Sequence, residues 1–472
     1  WYAAAKENRI HNPEAQCLAR FTYETRHSSR VFCRKLSCYQ PTEMGASIQS
    51  AICDQTWFSP SWKLDPTIAS MLNMLDAIHG KFNDVPELWS RLSGEEPRIT
   101  FHLLPMEKLN LPDELYIKMN SRGKELTDFE YFKSTLPDVL TETQAGIFNA
   151  RVDHEWSDLF WSLYKDNSQS DIAQWVDAGF LRFVRFVTDL LIQRNRIKVE
   201  ERVLEFDTFR AVYATPDHAD YLIACLEQMS HTGLHNPEFF NALFSFTGEA
   251  DDQKIRLFFL SPTANLFRKC ADCYDASQRN NPFSIGEQLL LFACLEHLIH
   301  DTPNFSERAR TLRNLIANSA ETVRHEYLPD LLEAVSALIK TGVVDEQSRF
   351  NKTQVAEEVL KKVATSSNEK LRTIVSRLEN HHLLQGCLAL FTIDETLGPI
   401  ADGFSKLFSD NCDYDIISRA LMSIGDYSQK YATGPRRVGN ANESVWRELF
   451  TPSQKREGFE NTKTILHRLL AT

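Results

Sequence analysis

The residues best suited to chemistry lie in "YIKMNSRGKELTDFEYFKS", Tyr116 to Ser134, where Asn120, Ser121, Arg122 and Lys124 crowd one short connection. Turn-building alone explains part of this stretch. Pro112, Asp113 and Glu114 start a helix with the acids at its positive end, and Gly123 suits the left-handed residue that stops it. Thr127 and Glu130 have the spacing of a capping box, and Leu126 and Tyr131 that of a hydrophobic staple. Four polar donors remain beside a second helix start, whose free N–H groups favour anions. The chemistry is capture of an anion or phosphate, with Gly123 letting backbone approach the ligand closely. The competing reading leaves Arg122 and Lys124 as cations that mildly stabilise a helix C-terminus.

Other polar constellations are weaker. In "FTYETRHSSR", Tyr23, Glu24, Arg26, Ser29 and Arg30 form a second cluster. Arg26 and Arg30 share a face if the segment is helical, and guanidinium forks suit phosphate or DNA; a basic solvated face is the alternative. "GPRRVGNANESVWRELF" sets Arg436 and Arg437 between Gly434 and Gly439, as a flexible basic loop beside Trp446. Such a loop contacts nucleic acid or simply faces water. "RLENHH" spaces Arg377 and His382 as in HEPN-type ribonucleases, a pattern that also arises easily by chance. Cys270-Ala-Asp-Cys273 has no second pair at zinc spacing, so no metal is expected. No Walker, G-x-S-x-G or H-E-x-x-H motif is present.

These residues must be positioned by helices. "DPTIASMLNMLDAIHG" has Asp65 as N-cap, Pro66 at the first helical position and Gly80 as its stop. Ile68, Met71, Leu72, Leu75 and Ile78 give it one apolar face. "WSDLFWSLY", "AGFLRFVRFVTDLLIQR", "EQLLLFACLEHLI", "RTLRNLIANSAETV", "LPDLLEAVSALI" and "KTQVAEEVLKKVA" repeat the helical period. "RITFHLLP", Arg98 to Pro105, is the best strand, and turn-rich breaks fall near Thr141–Gly146 and Tyr431–Asn442. The expected fold is mainly α, all-α from about residue 147 on.

The 472 residues, 43% hydrophobic, suffice for two or three domains. A net charge of −12 disfavours indiscriminate coating of nucleic acid. Residues 1–40 nevertheless hold seven Lys/Arg against three acids, a surplus of +4, so the remainder sums to −16. Local basic patches on an acidic body suit selective anion contact. No run is long enough to cross a bilayer and no leader opens the chain, so no membrane partner is expected. Ten scattered cysteines fit a reducing cytoplasm. The first residue is Trp1, which points to native sequence upstream.

"YIKMNSRGKELTDFE" resembles the N-x-x-G-x-x-L signature of the GmrSD-type restriction endonuclease N-terminal domain, a family with a ParB/sulfiredoxin-like core. "FTYETRHSSRVFC", "WFSPSWKLDPTIASMLNMLDAIH", "WSDLFW", "FNKTQVAEEVLKK", "LENHHLLQG" and "GDYS" are similar to stretches of longer members. The likeness spans nearly the whole chain and is densest over residues 20–135. It implies a remnant of a ParB/sulfiredoxin-like α/β core near the N-terminus, over 1–140, followed by helical regions 141–340 and 341–472, the last with the basic loop. It further implies an NTPase module of a bacterial anti-phage or modified-DNA restriction system. Such a module takes NTP with Mg2+, senses DNA, works with a nuclease domain or subunit and forms homo-oligomers.

Asn120, Arg122 and Gly123 match the second family signature as nucleotide or phosphate ligands, with Lys124 beside them. The first family signature, Asp-Gly-Gln-Gln-Arg, is absent from the chain and is expected upstream of Trp1; no HNH-like cluster appears downstream. The alternative is a non-catalytic helical scaffold of a defence complex.

Overall fold

The computed structural model describes residues 2–7, 20–21, 27–40, 47–94, 99–100, 127–165, 172–198, 205–231, 237–246, 253–258, 264–275, 281–409, 411–431 and 433–471. These fall into two units, 1–154 and 155–472. Both are mainly helical.

The first unit contains helices α1 (Tyr2–Lys6), α2 (His27–Ser37), α3 (Ile48–Cys53), α4 (Pro66–Phe82), α5 (Leu88–Ser93), α6 (Asp128–Thr135) and α7 (Glu142–Arg151). Phe32, Ile52, Phe58, Trp62, Ile68 and Leu72 form its aromatic-rich core. Asp65 caps α4 as expected, accepting from the N–H of Thr67 at 2.8 Å and of Ile68 at 3.2 Å. The Ser28 hydroxyl donates to the same carboxylate at 2.7 Å, tying α2 to the start of α4. The expected stop at Gly80 is wrong: α4 runs on to Phe82, and the N–H of Asn83 closes the last turn on His79 O at 2.8 Å. Phe82 prolongs the apolar stripe past the glycine, and one exposed glycine costs a helix only about 1 kcal/mol.

Thr127 and Glu130 form the reciprocal capping box that starts α6. Thr141 and Gln144 form another, so the turn-rich break expected at Thr141–Gly146 is instead the start of α7. The strand expected over Arg98–Pro105 lies outside the described residues except at Ile99 and Thr100, which are not strand.

The second unit opens with α8 (Glu155–Tyr164), α9 (Ile172–Arg194), α10 (Glu205–Tyr213), α11 (Pro216–His231) and α12 (Pro237–Leu243). Two-residue strands β1 (Phe244–Ser245) and β2 (Ile255–Arg256) pair in parallel, Phe244 opposite Ile255. Then follow α13 (Leu266–Cys273), α14 (Ile285–His300), α15 (Phe305–Ala317), α16 (Leu328–Thr341), α17 (Lys352–Thr365) and α18 (Glu369–Glu379). Every residue of α14 from Gly286 to Glu296 is buried. A helix apolar on nearly all faces must lie at the centre, and α11, α13, α15 and α16 pack around it.

The chain ends with α19 (Leu397–Leu407), α20 (Tyr414–Ile424), α21 (Glu443–Phe450) and α22 (Phe459–Leu470). With α18 they enclose a separate core containing Leu378, Phe404, Phe408, Trp446, Phe450 and Leu466. Between them, β3 (Gln429–Tyr431) pairs antiparallel with β4 (Arg436–Arg437) and with β5 (Arg456–Glu457), in the order β4-β3-β5. The expectation of an all-α body therefore needs two small sheets added. Neither announces itself in the sequence, because strands of two or three residues are too short for a period-two pattern.

Gly439 follows β4 and lies flat on the Trp446 indole, which is fully buried. The indole N–H donates to Asn440 O at 2.7 Å, and the ring stacks on Tyr427. A Cβ on Gly439 would meet the indole at 2.1 Å, whereas one on Gly434 would sit 3.5 Å from its nearest neighbour. Gly439→Ala is expected to lower stability by about 1–3 kcal/mol and Gly434→Ala to change it little. Urea midpoints of the two variants check this.

Candidate functional site

A cavity of about 620 Å³ lies in the first unit, within the usual range for small-molecule sites. Its floor continues the stripe that α4 begins in the core. Ile68 and Leu72 are sealed, but Leu75, Ile78 and Phe82 emerge into the cavity, the last two 48% and 41% exposed. Leu36 and Tyr39 from the end of α2, Ile48 and Ile52 from α3, and Val85 and Leu88 complete the apolar walls.

Two carboxylates hold the walls in place. Asp76 on α4 accepts from the Gln49 N–H at 2.8 Å and the Ser47 hydroxyl at 2.9 Å, fixing the start of α3. The Gln49 N–H, followed by the Ser47 hydroxyl, holds this carboxyl below the usual range, against a smaller opposing effect of burial. Glu7, just past α1, accepts from the N–H groups of Trp89 at 2.7 Å and Ser90 at 3.1 Å, and from the Ser90 hydroxyl at 2.5 Å. Lys6 Nζ donates to Asn83 O at 3.2 Å and Asn83 Oδ1 at 3.3 Å. Thus α1 straps across one end of the cavity and clamps the Asn83–Leu88 segment.

The rim mixes charges: Glu7, Asp84 and Glu87 against Lys6 and His79. Apolar walls with this rim fit a flat, largely apolar body with a hydrogen-bonding edge, such as a nucleobase. They do not fit a polyphosphate, which the three acids would repel. Among the described residues no three His, Cys, Asp or Glu side chains are grouped so as to hold a metal ion.

The residues singled out from sequence are distributed as follows. Asn120, Arg122, Gly123 and Lys124 lie outside the described residues, as do Tyr23 and Arg26. Ser29 is on α2, fully buried, and Arg30 beside it is half-buried. Arg436 pairs with Asp426. Arg437 lies 3.7 Å from Glu448 and over the Tyr431 ring. The stretch read as a flexible basic loop is instead the edge strand β4, and Trp446 is interior.

Arg377 and His382 serve the fold. Arg377 pairs with Asp402 at 2.5 Å, and His382 meets the Tyr414 hydroxyl at 3.2 Å while stacking on His381. Burial, then the neighbouring His382, pushes His381 down to about 3. In the Cys-x-x-Cys pair, Cys270 is fully buried, and burial raises its thiol well above its ordinary value. Cys273 donates to Lys269 O. No described helix is long and apolar enough to cross a membrane.

Sequence reasoning missed the cavity. The available signal was the α4 stripe itself, which runs from Ile78 on to Phe82, beyond the glycine taken as its end.

No family model matches the chain, and no curated protein or solved structure matches it significantly.

Glu7→Ala is expected to leave the N–H groups of Trp89 and Ser90 without their anion and to cost about 1–3 kcal/mol locally. Hydrogen exchange should rise in residues 2–7 and 88–93 while α3 and α4 keep their protection.

Proposed function

We propose that this chain is the nucleotide-binding and DNA-sensing module of a bacterial system restricting phage or modified DNA, of the GmrSD type. The observation that carries the reading is an apolar-walled cavity roomy enough for a base, lined mostly by the segment of densest resemblance, residues 20–135. The capping box at Thr127 and Glu130 adds support, since it places a helix start directly after the N-x-x-G-x-x-L signature. In this reading the cavity takes the base. Asn120, Arg122, Gly123 and Lys124 take the phosphates, and Mg2+ enters with the NTP. Tyr23, Arg26 and Arg30 belong to the same anion- or DNA-binding face, from which burial removes Ser29, and Arg436 and Arg437 are the candidate DNA contacts in the second unit. The N-terminal core is ParB-like, cleavage belongs to a nuclease domain or subunit, and the module acts in the cytoplasm as a homo-oligomer.

A second reading, a non-catalytic helical scaffold, is favoured by one observation. Leu360 and Val363 on α17 are 66% and 70% exposed, with Val343 at 61%, an apolar surface suited to a partner.

The discriminating experiment uses the full-length protein with its native upstream sequence. ATP and GTP turnover is expected, falling at least tenfold in Asn120→Ala and Arg122→Ala. Nucleotide affinity is expected to fall similarly in Phe82→Asp, with circular dichroism unchanged. Absence of both binding and turnover, beside partner capture that ignores nucleotide, would establish the scaffold.

A further inference from the structure

Helix α17 is inside out. Its apolar Leu360 and Val363 face solvent, while Gln354, Glu358, Lys361 and Thr365, at helical spacing, are each at most 9% exposed. Lys361 Nζ lies 2.8 Å from Glu357, 2.8 Å from Glu358 and 3.1 Å from Glu379, and also donates to Gly386 O. Three ammonium protons thus face four acceptors. From α15, the Asn314 amide donates to Glu379 at 2.7 Å and to Glu358 at 3.1 Å, while its own Oδ1 finds no donor. Arg313 donates to Glu379 O at 2.8 Å and approaches the same acids.

The other groups facing the cluster are Arg310 on α15, Arg256 on β2 and the Cys387 thiol, which burial pushes up to about 12 so that it stays neutral. Three carboxylates crowd within 3.1 Å of one ammonium, and a proton on Glu358 relieves their mutual repulsion. Burial, reinforced by Glu379 and Glu357 and opposed by Lys361, pushes Glu358 up to about 7.

The cluster also holds a strained turn. Gln385 and Gly386 both have positive φ, 46° and 90°, and a Cβ on Gly386 would meet Asn314 Oδ1 at 2.4 Å. Lys361 and Gln354 both donate to Gly386 O, and Glu357 accepts from the Leu388 N–H at 2.7 Å. This turn leads from α18 into the C-terminal core. Arg310 and Arg313 on α15 also hold the turn, donating to Asn380 Oδ1 at 3.0 and 3.2 Å, and Asn318 donates to Gln385 O at 2.9 Å.

We propose that the Lys361 cluster is a proton-operated latch: a proton on Glu358 seats the 380–388 turn on α15 and α17, and its loss loosens the C-terminal core. A carboxyl whose value is raised on folding gives stability that is full below its unfolded value, about 4.5, and is lost as pH rises through about 7. Asp189, which burial pushes up to about 6 against its hydrogen bond from Tyr274, adds a slope of the same sign, so the test compares variants at each pH.

In the intact chain, the wild-type urea midpoint is expected to fall relative to Glu358→Gln between pH 5 and pH 8. Exchange of residues 380–388 should rise over the same interval, by on the order of a hundredfold in wild type relative to the variant. Parallel pH profiles for the two proteins would overturn the latch. Should Glu358→Gln fail to fold, Asp189→Asn, which removes the other raised carboxyl, decides. In that variant the infrared band of a protonated buried carboxyl must be present at pH 6 and gone by pH 8.5; its absence at pH 6 overturns the proposal.

Discussion

The second unit depends on one constraint: a helix with almost no polar face must be wrapped on every side. From Gly286 to Glu296, α14 presents no residue to water. Its neighbours α11, α13, α15 and α16 are held in position by that demand. Even the acids at its ends are enclosed. Glu287 caps the helix start and pairs with Lys269. Glu296 accepts from Ser336 at 2.7 Å and pairs with Lys340 at 2.9 Å. Burial works against the Glu296 charge, but these partners and Arg194 still hold its carboxyl below the usual range. A buried charge persists only when it is paired and hydrogen-bonded.

The first unit has no such centre among its described residues. Its apolar stripe on α4 starts inside a core and ends in an open cavity. The difference bears on function. A helix with surplus apolar length that no described residue covers leaves a lined hollow, and a strap anchored by Glu7 and Lys6 gives that hollow an edge. Ligand sites arise where packing is left incomplete in this way.

The fold was legible where its signals are local. Asp65 with Pro66, and Thr127 with Glu130, are caps made by residues at most three apart, and each appears as expected. The helical runs from Trp156 to Val363 were legible for the same reason. One was overextended: α15 ends at Ala317, and "NSAETV" leaves the helix. The breaks read from turn-forming composition fared worse, because Thr and Gln begin helices as readily as they make turns. The candidate phosphate-binding residues were legible as leftovers, polar groups that no turn or cap required.

What the sequence by itself determined is thus the helical character, most element starts and the list of surplus polar residues, all set by side chains within a turn or two of one another. Tertiary structure alone decided which of those polar groups are buried. In "KTQVAEEVLKKVA" the helical period does not say which face is wet: Glu358 and Lys361 are 5% and 4% exposed while Leu360 and Val363 stand in solvent. The partners that make this possible, Asn314 and Glu379, lie 44 positions before Glu358 and 18 after Lys361. Whether a charge is solvated or paired depends on which distant groups surround it, and no local pattern carries that information.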